Sequence, residues 1–168
     1  EKVNAYFNSS NDGLLVLDPV RGGWLHANGR AVELFGFAST EELLKTGPAE
    51  LSPEVQESGR LTSELASEII AATLERQLTN RFEWIHRRCD GTLFPCEITL
   101  VPITLAGKQV LMTTIRDITE RKRAEAEAAR LAQQAAEQDR LEQEAREEQE
   151  RRRRRQEEAD RAEAEKLA

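Results

Sequence analysis

The sequence predicts an α+β domain with a five-stranded antiparallel sheet, followed by one long α-helix. Short apolar segments with the two-residue alternation of β-strands recur between residues 14 and 116. Helix-forming segments within that region occur only between the second and third of these strands. From Glu120 to Ala168 the chain contains no glycine, proline or aromatic residue. With 168 residues and a net charge of −7, the chain is long enough for one hydrophobic core and this appendage.

The first two strands are predicted to form a hairpin. Residues 14–17 (Leu-Leu-Val-Leu) follow an Asn-Asp-Gly turn and end at Asp18, which precedes a proline. Residues 21–23 (Arg-Gly-Gly) supply the hairpin turn, and residues 24–27 form the second strand.

Three helical segments follow the hairpin. Asn28 has the position of an N-cap for a short helix that Gly36 ends. Ser39 begins a single-turn helix that ends near residue 47, and residues 51–60 read as a loop. A longer helix is predicted over residues 63–78. The apolar stripe of this helix comprises Leu65, Ile69, Ala72, Thr73 and Leu74.

The remaining three strands are predicted to form a meander. In residues 81–88, Phe82, Trp84 and His86 share one face of the strand. A Cys-Asp-Gly turn then leads into a strand over residues 92–102. A second turn at residues 105–108 leads into the final strand, residues 109–116.

The final strand is predicted to pass directly into the long helix. Asp117 and Glu120 have the Asp-x-x-Glu spacing of a capping box. We expect the Asp117 carboxylate to accept from N–H groups of the first helical turn, and Glu120 to bond back to the Asp117 N–H. Both carboxylates would lie at the positive end of the helix dipole. Because no flexible linker intervenes, strand and helix should be mechanically coupled.

This order of elements resembles a PAS domain. Four motifs carry the resemblance: Asp90-Gly91 in the turn after a basic strand, Ala27-Asn28 opening the first helix, residues 34–37 (Leu-Phe-Gly-Phe) closing it, and residues 116–122 (Arg-Asp-Ile-Thr-Glu-Arg-Lys) at the exit. The resemblance covers about residues 6–122. It implies a PAS fold, which is a sensory module of bacterial signalling proteins, often dimeric, with a small-molecule cleft between sheet and helices.

The resemblance sets the expected domain organisation. Residues 1–119 would be the sensory domain, and residues 120–168 a long charged helix or coiled-coil linker. We expect the chain to be a fragment of a longer protein.

The resemblance also implies which residues face the cleft. With the strand orientation of the family, the cleft face carries Phe82, Trp84, Cys96, Ile98, Leu100, Leu111, Thr113 and Ile115. Trp84 is the residue best able to stack on a flat ligand, and Thr113 is the polar exception. The alternative is that these side chains pack against the helix over residues 63–78 and bind no ligand.

A cofactor is not specified by the sequence. LOV photoreceptors of this fold carry a photoadduct cysteine, whereas the matching residues 50–56 contain none, which argues against LOV photochemistry. Related haem sensors use a histidine on the long inserted helix; here the only histidines, His26 and His86, fall on strands, which argues against haem. A cleft without a cofactor is the first expectation, and a non-covalent flavin or a small organic ligand stays open.

The predicted signal junction comprises Arg116, Asp117, Thr119 and Glu120. Beyond it we expect a weak parallel coiled coil that gives way to a charge-stabilised helix. Its heptad positions are Ala124, Leu131, Gln134, Gln138, Leu141 and Ala145. The expected i,i+4 ion pairs are Glu147–Arg151, Glu148–Arg152 and Glu150–Arg154.

The expected function is a sensory module that passes the state of a ligand, cofactor or partner to an output domain through the paired helices of a parallel homodimer. Candidate outputs are a histidine kinase of a two-component system, a chemotaxis receptor, a cyclic-dinucleotide enzyme and a phosphatase or anti-sigma regulator. Dimer contacts are expected from Tyr6, Phe7, Ile85 and Val101. The alternative is a ligand-free dimerisation scaffold with a spacer helix.

Other function classes are disfavoured. The sequence has no nucleophile elbow, P-loop, dinucleotide fingerprint or metal-spaced set of cysteines and histidines, so we expect neither an enzyme nor a metal site. Glutamates flank the arginine run at residues 151–155, which argues against nucleic-acid binding. No apolar run approaches the ~20 residues that span a bilayer. Cys89 and Cys96 suit free thiols in a cytoplasmic protein, and the alternative is a disulfide between them.

Overall fold

One antiparallel sheet organises the fold. The computed structural model describes residues 7–167, without the side chain of residue 167. Its strands are β1 (Gly13–Asp18), β2 (Gly23–Ala27), β3 (Asn80–Arg87), β4 (Leu93–Leu105) and β5 (Lys108–Asp117). They lie side by side in the order β2-β1-β5-β4-β3, and each neighbouring pair is antiparallel. The predicted fold class is therefore confirmed.

Three helices lie between the second and third strands. They are α1 (Gly29–Phe35), α2 (Thr40–Leu43) and α3 (Thr62–Arg76). The last helix, α4 (Thr119–Leu167), follows β5, and residues 7–9 are also helical. The predicted order of strands and helices is confirmed.

Side-chain caps set the ends of the short helices. The Asn28 side chain accepts a hydrogen bond from the Ala31 N–H, and Gly36 ends α1 in the left-handed region at a φ of 76°. Ser39 caps α2 through the Glu42 N–H. Helix α3 ends at Arg76, two residues before the predicted end, because Gln77 adopts a φ of 52°.

The inward face of the sheet forms the hydrophobic core together with α1. Alternate strand residues are buried on that face. The helix contributes Ala31, Leu34 and Phe35. Phe35 is at the centre of an aromatic cluster, with its ring centroid 5.1 Å from that of His86 and 5.7 Å from that of Phe94. The strand alternation predicted from the sequence therefore identifies the core face correctly.

The loop over residues 51–60 covers the edge of β3. Gln56 accepts a hydrogen bond from the Ile85 N–H at 2.9 Å through Oε1, and donates to the Ile85 carbonyl at 3.2 Å through Nε2. The Arg87 N–H donates to the Leu51 carbonyl at 2.8 Å. These contacts replace a neighbouring strand, so part of this sheet edge is satisfied within the domain.

The chain divides into two compact units, Glu1–Lys122 and Arg123–Ala168. Charged side chains dominate the second unit, where Leu131 and Leu141 are 52% and 53% exposed. Within residues 7–167, no helix has both the length and the apolar character needed to cross a bilayer.

The ion pairs of the second unit correct part of the sequence prediction. Arg152 pairs with Glu148 at 2.9 Å, as expected. Arg151 instead lies 4.0 Å from Glu148 and donates to the Glu147 carbonyl. No Glu150–Arg154 pair forms among the described residues. Glutamates and arginines are so dense here that several partners compete for each charge, which residue spacing alone cannot resolve.

Gly47 lies where the loop after α2 passes the hairpin turn. A Cβ atom at this position would lie 2.6 Å from the Gly22 carbonyl oxygen, a backbone atom. We therefore expect Gly47→Ala to lower the free energy of unfolding by about 1–3 kcal/mol through overpacking. Urea denaturation would measure this as a lower midpoint at an unchanged slope. Gly29→Ala is the matched control, since its Cβ would meet nothing within 4 Å; an equal loss in both variants would contradict the steric explanation.

Candidate functional site

A small cavity lies between the inward face of the sheet and α3. Its volume is about 40 Å³. Five of the eight residues expected at the cleft line it: Phe82, Trp84, Ile98, Leu100 and Thr113. The expected cleft therefore corresponds to a real but small space.

The other three expected residues, Cys96, Leu111 and Ile115, do not line the cavity. All three are fully buried in the core. Leu111 pairs with Leu17 of β1, and Ile115 pairs with Gly13, whose neighbourhood includes Leu34 of α1. Alternation places them on the correct face, but it does not show that core packing buries them completely.

Seven further residues line the cavity that were not among the predicted cleft residues. They are Leu17, Trp24, Pro48, Ala66, Ile69, Ile70 and His86. Ile69 belongs to the predicted apolar stripe of the long inserted helix, and His86 shares the predicted face of Phe82 and Trp84. The sequence pattern therefore placed both residues on faces that point toward the core. Pro48 comes from a loop, and its position depends on tertiary packing alone.

A hydrogen-bond network fixes His86 in the cavity wall. Its Nδ1 lies 2.6 Å from the Leu51 carbonyl oxygen and 3.2 Å from Ser52 Oγ. The Trp84 indole Nε1–H donates to Ser52 Oγ at 3.0 Å, and Ser52 Oγ donates to the Pro48 carbonyl at 2.8 Å. A carbonyl oxygen can only accept, so Nδ1 carries the ring proton.

His86 is neutral near pH 7. Burial lowers its pKa from 6.5 to about 4, against the opposing effect of the hydrogen bond to the Leu51 carbonyl. With Nδ1 protonated, the neutral ring presents a lone pair at Nε2. His86 therefore brings no charge to the cavity wall.

Three buried polar atoms at the cavity have no hydrogen-bond partner in the described part of the chain. They are Trp24 Nε1, His86 Nε2 and Thr113 Oγ1. All three residues line the cavity and are at least nine-tenths buried. Native proteins rarely leave such atoms unsatisfied. The surface of the cavity itself is almost wholly apolar.

Flavin and haem do not fit this cavity. Sites for ligands of drug or cofactor size usually measure about 300–1,000 Å³, whereas this one measures about 40 Å³.

The described residues also contain no cluster of three or more His, Cys, Asp or Glu side chains that could hold a metal ion. Cys89 and Cys96 are free thiols.

The exit from the sheet differs by one residue from the predicted capping box. The Lys122 N–H donates to the Ile118 carbonyl, so Ile118 occupies the N-cap position and Asp117 precedes it. Asp117 Oδ1 accepts from the N–H of Thr119 at 2.9 Å and from its hydroxyl at 2.5 Å. Strand pairing continues to Asp117, which delays the start of the helix.

Ion pairs hold the predicted junction residues to the rest of the domain. Asp117 pairs with Arg88 at 3.0 Å, and Arg116 pairs with Asp12 at 2.8 Å. Partial burial of Asp117 opposes its ionisation, but the bonds from Thr119 and Arg88 outweigh this and lower its pKa. Asp117 thus links the hairpin that precedes β4 to the first turn of α4.

Glu83 forms a second attachment, which the sequence analysis missed. Its carboxylate lies 2.7 Å from the Arg121 guanidinium and 2.5 Å from Lys122 Nζ. The bond from Lys122 is the main reason that the pKa of Glu83 is lowered. Glu97 lies opposite Glu83 in the register of β3 and β4. Its carboxylate is 3.6 Å from the Arg121 guanidinium. Two facing carboxylates therefore bind the two cations of the first α4 turn.

Comparisons with known proteins agree with this architecture. The family profile described as PAS domain matches residues 11–120. The chain is similar to the PAS domain of nitrogen regulation protein NR(II) from Vibrio parahaemolyticus, with 21% identity over 70% of this chain and 99% of that one, at a TM-score of 0.58. No curated protein matches it.

Two further solved structures are similar. A PAS domain from a two-component sensor histidine kinase is 14% identical over 69% of this chain and 93% of that one, at a TM-score of 0.56. The PAS domain of a LuxR-family transcriptional regulator from Burkholderia thailandensis, solved with ethanol, is 16% identical over 68% and 95%, at a TM-score of 0.54. These identities show likeness of fold. Together with the family match, they establish that the chain belongs to the PAS domain family, whose members are sensory signalling modules and not catalytic domains.

Proposed function

We propose that this chain is the sensory part of a bacterial signal-transduction protein, and that it couples the state of its cavity to an output domain through α4. Strand β3 supports this proposal. Phe82 and Trp84 line the cavity, and Glu83 between them binds Arg121 and Lys122 at the start of α4. One short segment therefore contacts both the input space and the exit helix.

The geometry of a β-strand explains how the coupling would operate. Successive side chains point to opposite faces, so the backbone that positions Phe82 and Trp84 also positions Glu83. A guest that displaces either aromatic side chain would move the Glu83 carboxylate relative to the fixed Arg88–Asp117 pair. Arg121 and Lys122, in the first turn of α4, would then change their ionic contacts with Glu83.

The comparisons support the sensory part of this proposal. One similar domain comes from a sensor histidine kinase, and another was solved with ethanol. We infer a small guest for this cavity and a two-component or chemotaxis output for the longer protein, in a cytoplasmic setting. The predicted cleft residues that line the cavity would contact that guest.

Dimerisation belongs to the same proposal. Leu131 and Leu141, at expected heptad positions, are more than half exposed, and a parallel partner helix would cover them. Of the expected domain contacts, Phe7, Ile85 and Val101 are half-buried, whereas Tyr6 lies outside the described residues. Sedimentation should show a dimer at tens of micromolar; a monomer at that concentration would contradict paired helices.

Glu83→Gln is the variant that tests the coupling. The ion pairs of Glu83 are exposed to solvent and contribute little to stability, so the domain should stay folded. Loss of the attachment should increase amide hydrogen exchange at residues 119–122 by about two- to fivefold. In the full-length protein, the response of the output to the input should disappear.

Glu68→Gln is the matched control for this experiment. Glu68 forms a comparable exposed ion pair with Arg60 at 2.6 Å, on α3 and away from the exit. It should leave both the exchange at residues 119–122 and the output response unchanged. Unchanged exchange and unchanged output in Glu83→Gln would refute the coupling and favour the alternative, a ligand-free scaffold with a spacer helix.

A further inference from the structure

We infer that the open end of strand β3 is a site of self-association, where residues 81–83 of two copies of this chain pair as antiparallel strands. The inference goes beyond the proposed coupling to α4, because it concerns a contact between two domains. It rests on the direction of the backbone groups at this edge, on the order of the charges along it and on an apolar groove beside it.

Strand β3 is the last strand of the sheet, so one side of its backbone faces away from the other strands. The N–H groups of Ile85 and Arg87 point to this side, since both donate to groups of the loop over residues 51–60. Backbone groups of a strand alternate in direction with a period of two residues, so those of Arg81 and Glu83 point the same way. In the described part of the chain these groups have no hydrogen-bond partner. The loop therefore covers one end of the edge and leaves the other end open.

The charges along the open end are self-complementary. Residues 81–83 read Arg-Phe-Glu, and the same residues of a second copy read Glu-Phe-Arg when its strand runs in the opposite direction. With Phe82 opposite Phe82 of the second copy, each Arg81 lies opposite a Glu83. Opposite charges and aromatic rings in facing positions both stabilise paired strands. In this register the outward backbone groups of Arg81 and Glu83 also face each other, so they can exchange hydrogen bonds.

The ion pairs that Glu83 makes within its own copy are compatible with this contact. Glu83 binds Arg121 and Lys122. An ionised carboxylate has about four acceptor sites, so Glu83 can also accept from Arg81 of a second copy. The Arg81 side chain is exposed and has no ion-pair partner among residues 7–167. It is therefore available to a second copy.

An apolar groove lies beside the open end of β3. Its volume is about 280 Å³, and its lining includes Leu65 and Ile69 of α3 and Phe82 and Ile85 of β3. Phe82 is only half-buried. A strand of a second copy along this edge would cover part of this apolar surface, and its removal from water favours association.

The contact would be weak and closed. Three residues on each side make a small interface, which is typical of weak association. Both copies use the same residues, so a two-fold axis relates them and one partner completes the contact. The edge therefore does not invite the open-ended association that long apolar edges cause.

Sedimentation equilibrium of the full 168-residue chain tests the inference. Every sample carries Leu131→Asp and Leu141→Asp, so that paired α4 helices do not contribute. This parent should be monomeric at tens of micromolar and partly dimeric at about 1 mM. Arg81→Glu and Glu83→Arg each place like charges opposite each other, so each should weaken association about tenfold or more. A parent that stays monomeric at the highest concentration overturns the inference.

A mixture of the two charge variants is the sharpest measurement. In a mixed dimer, the introduced glutamate of Arg81→Glu lies opposite the introduced arginine of Glu83→Arg, and the native Glu83 and Arg81 lie opposite each other. The mixture should therefore associate within about twofold of the parent, although neither variant does so alone. Amide spectra verify that both variants are folded. If the mixture associates no more than its components, the register is wrong and the inference fails.

Lys45→Glu is the matched control for the change of charge. Lys45 lies near β2, at the opposite edge of the sheet, and is exposed. This variant should leave the dissociation constant of the parent unchanged. A loss equal to that of Arg81→Glu would assign the effect to net charge and refute strand pairing.

Amide hydrogen exchange locates the contact. In the parent, the N–H groups of Arg81 and Glu83 should exchange about two- to fivefold more slowly at high than at low protein concentration. Concentration-dependent protection at other strands without these two groups would place the interface elsewhere and overturn the inference. The Glu83→Gln experiment stands in either case, because it measures the attachment of α4 within one copy.

Discussion

Asn28→Ala is expected to lower the free energy of unfolding by about 3–5 kcal/mol, because Asn28 forms a buried hub of four hydrogen bonds. Its Oδ1 accepts from the N–H groups of Leu14 and Ala31, each at 2.9 Å. Its Nδ2 donates to the carbonyls of Phe7 at 2.9 Å and Asp12 at 3.1 Å. The side chain is 0% exposed, so alanine would leave several backbone groups without partners.

Thermal and urea unfolding would measure the effect of Asn28→Ala. A loss of about 3 kcal/mol should lower the melting temperature by more than about 10 °C in a domain of this size. Asn80→Ala is the control, because Asn80 makes one side-chain hydrogen bond, to Thr73 Oγ1 at 3.2 Å, and should cost about 1 kcal/mol. A loss below 1 kcal/mol in Asn28→Ala would contradict the hub.

Acid is expected to destabilise the domain through His86 by about 3 kcal/mol between pH 7 and pH 4. The folded pKa is about 4, below the unfolded value of 6.5, so below pH 6.5 the unfolded state binds the proton more readily. The contribution is therefore complete above pH 6.5 and is lost as the pH falls through 4. The physical cause is burial of the ring against Phe35 and Phe94.

Two measurements isolate this histidine from the carboxylates that also titrate in acid. The ring ¹⁵N shifts of folded His86 should remain those of the Nδ1–H tautomer at pH 5, with midpoint near 4. The fall in stability from pH 7 to pH 5 should be smaller in His86→Gln and unchanged in His26→Gln, since His26 is exposed. A folded-state midpoint near 6.5 would contradict the expectation.

The strands and turns could be predicted because their causes are local. Alternation in residues 81–88 identifies the buried face, since side chains on a strand point to opposite sides in turn. Asn28 and Gly36 identify the limits of α1, since an N-cap acceptor and a left-handed glycine act on the nearest backbone groups. The order of the elements along the chain was equally accessible.

The candidate site was only partly accessible to sequence reasoning. Phe82, Trp84 and Thr113 follow strand periodicity, and all three line the cavity. Leu111 and Ile115 obey the same periodicity, yet core packing fills the space beside them. The N-cap function of Asn28 was predicted, but its other hydrogen bonds were not, since their partners include the Phe7 carbonyl, 21 residues away. Glu83 was missed for the same reason, since Lys122 is 39 positions further along the chain.

The amino-acid sequence by itself determined which residues form strands and helices and which strand face is apolar, because these depend on neighbours within a few positions. Only the tertiary structure decided where the core leaves a cavity, which polar atoms remain unsatisfied there and which acid binds the exit helix. Those features depend on contacts between segments that are far apart in the chain. The residue spacing within any one segment does not show which distant side chains will pack against it or pair with its charges.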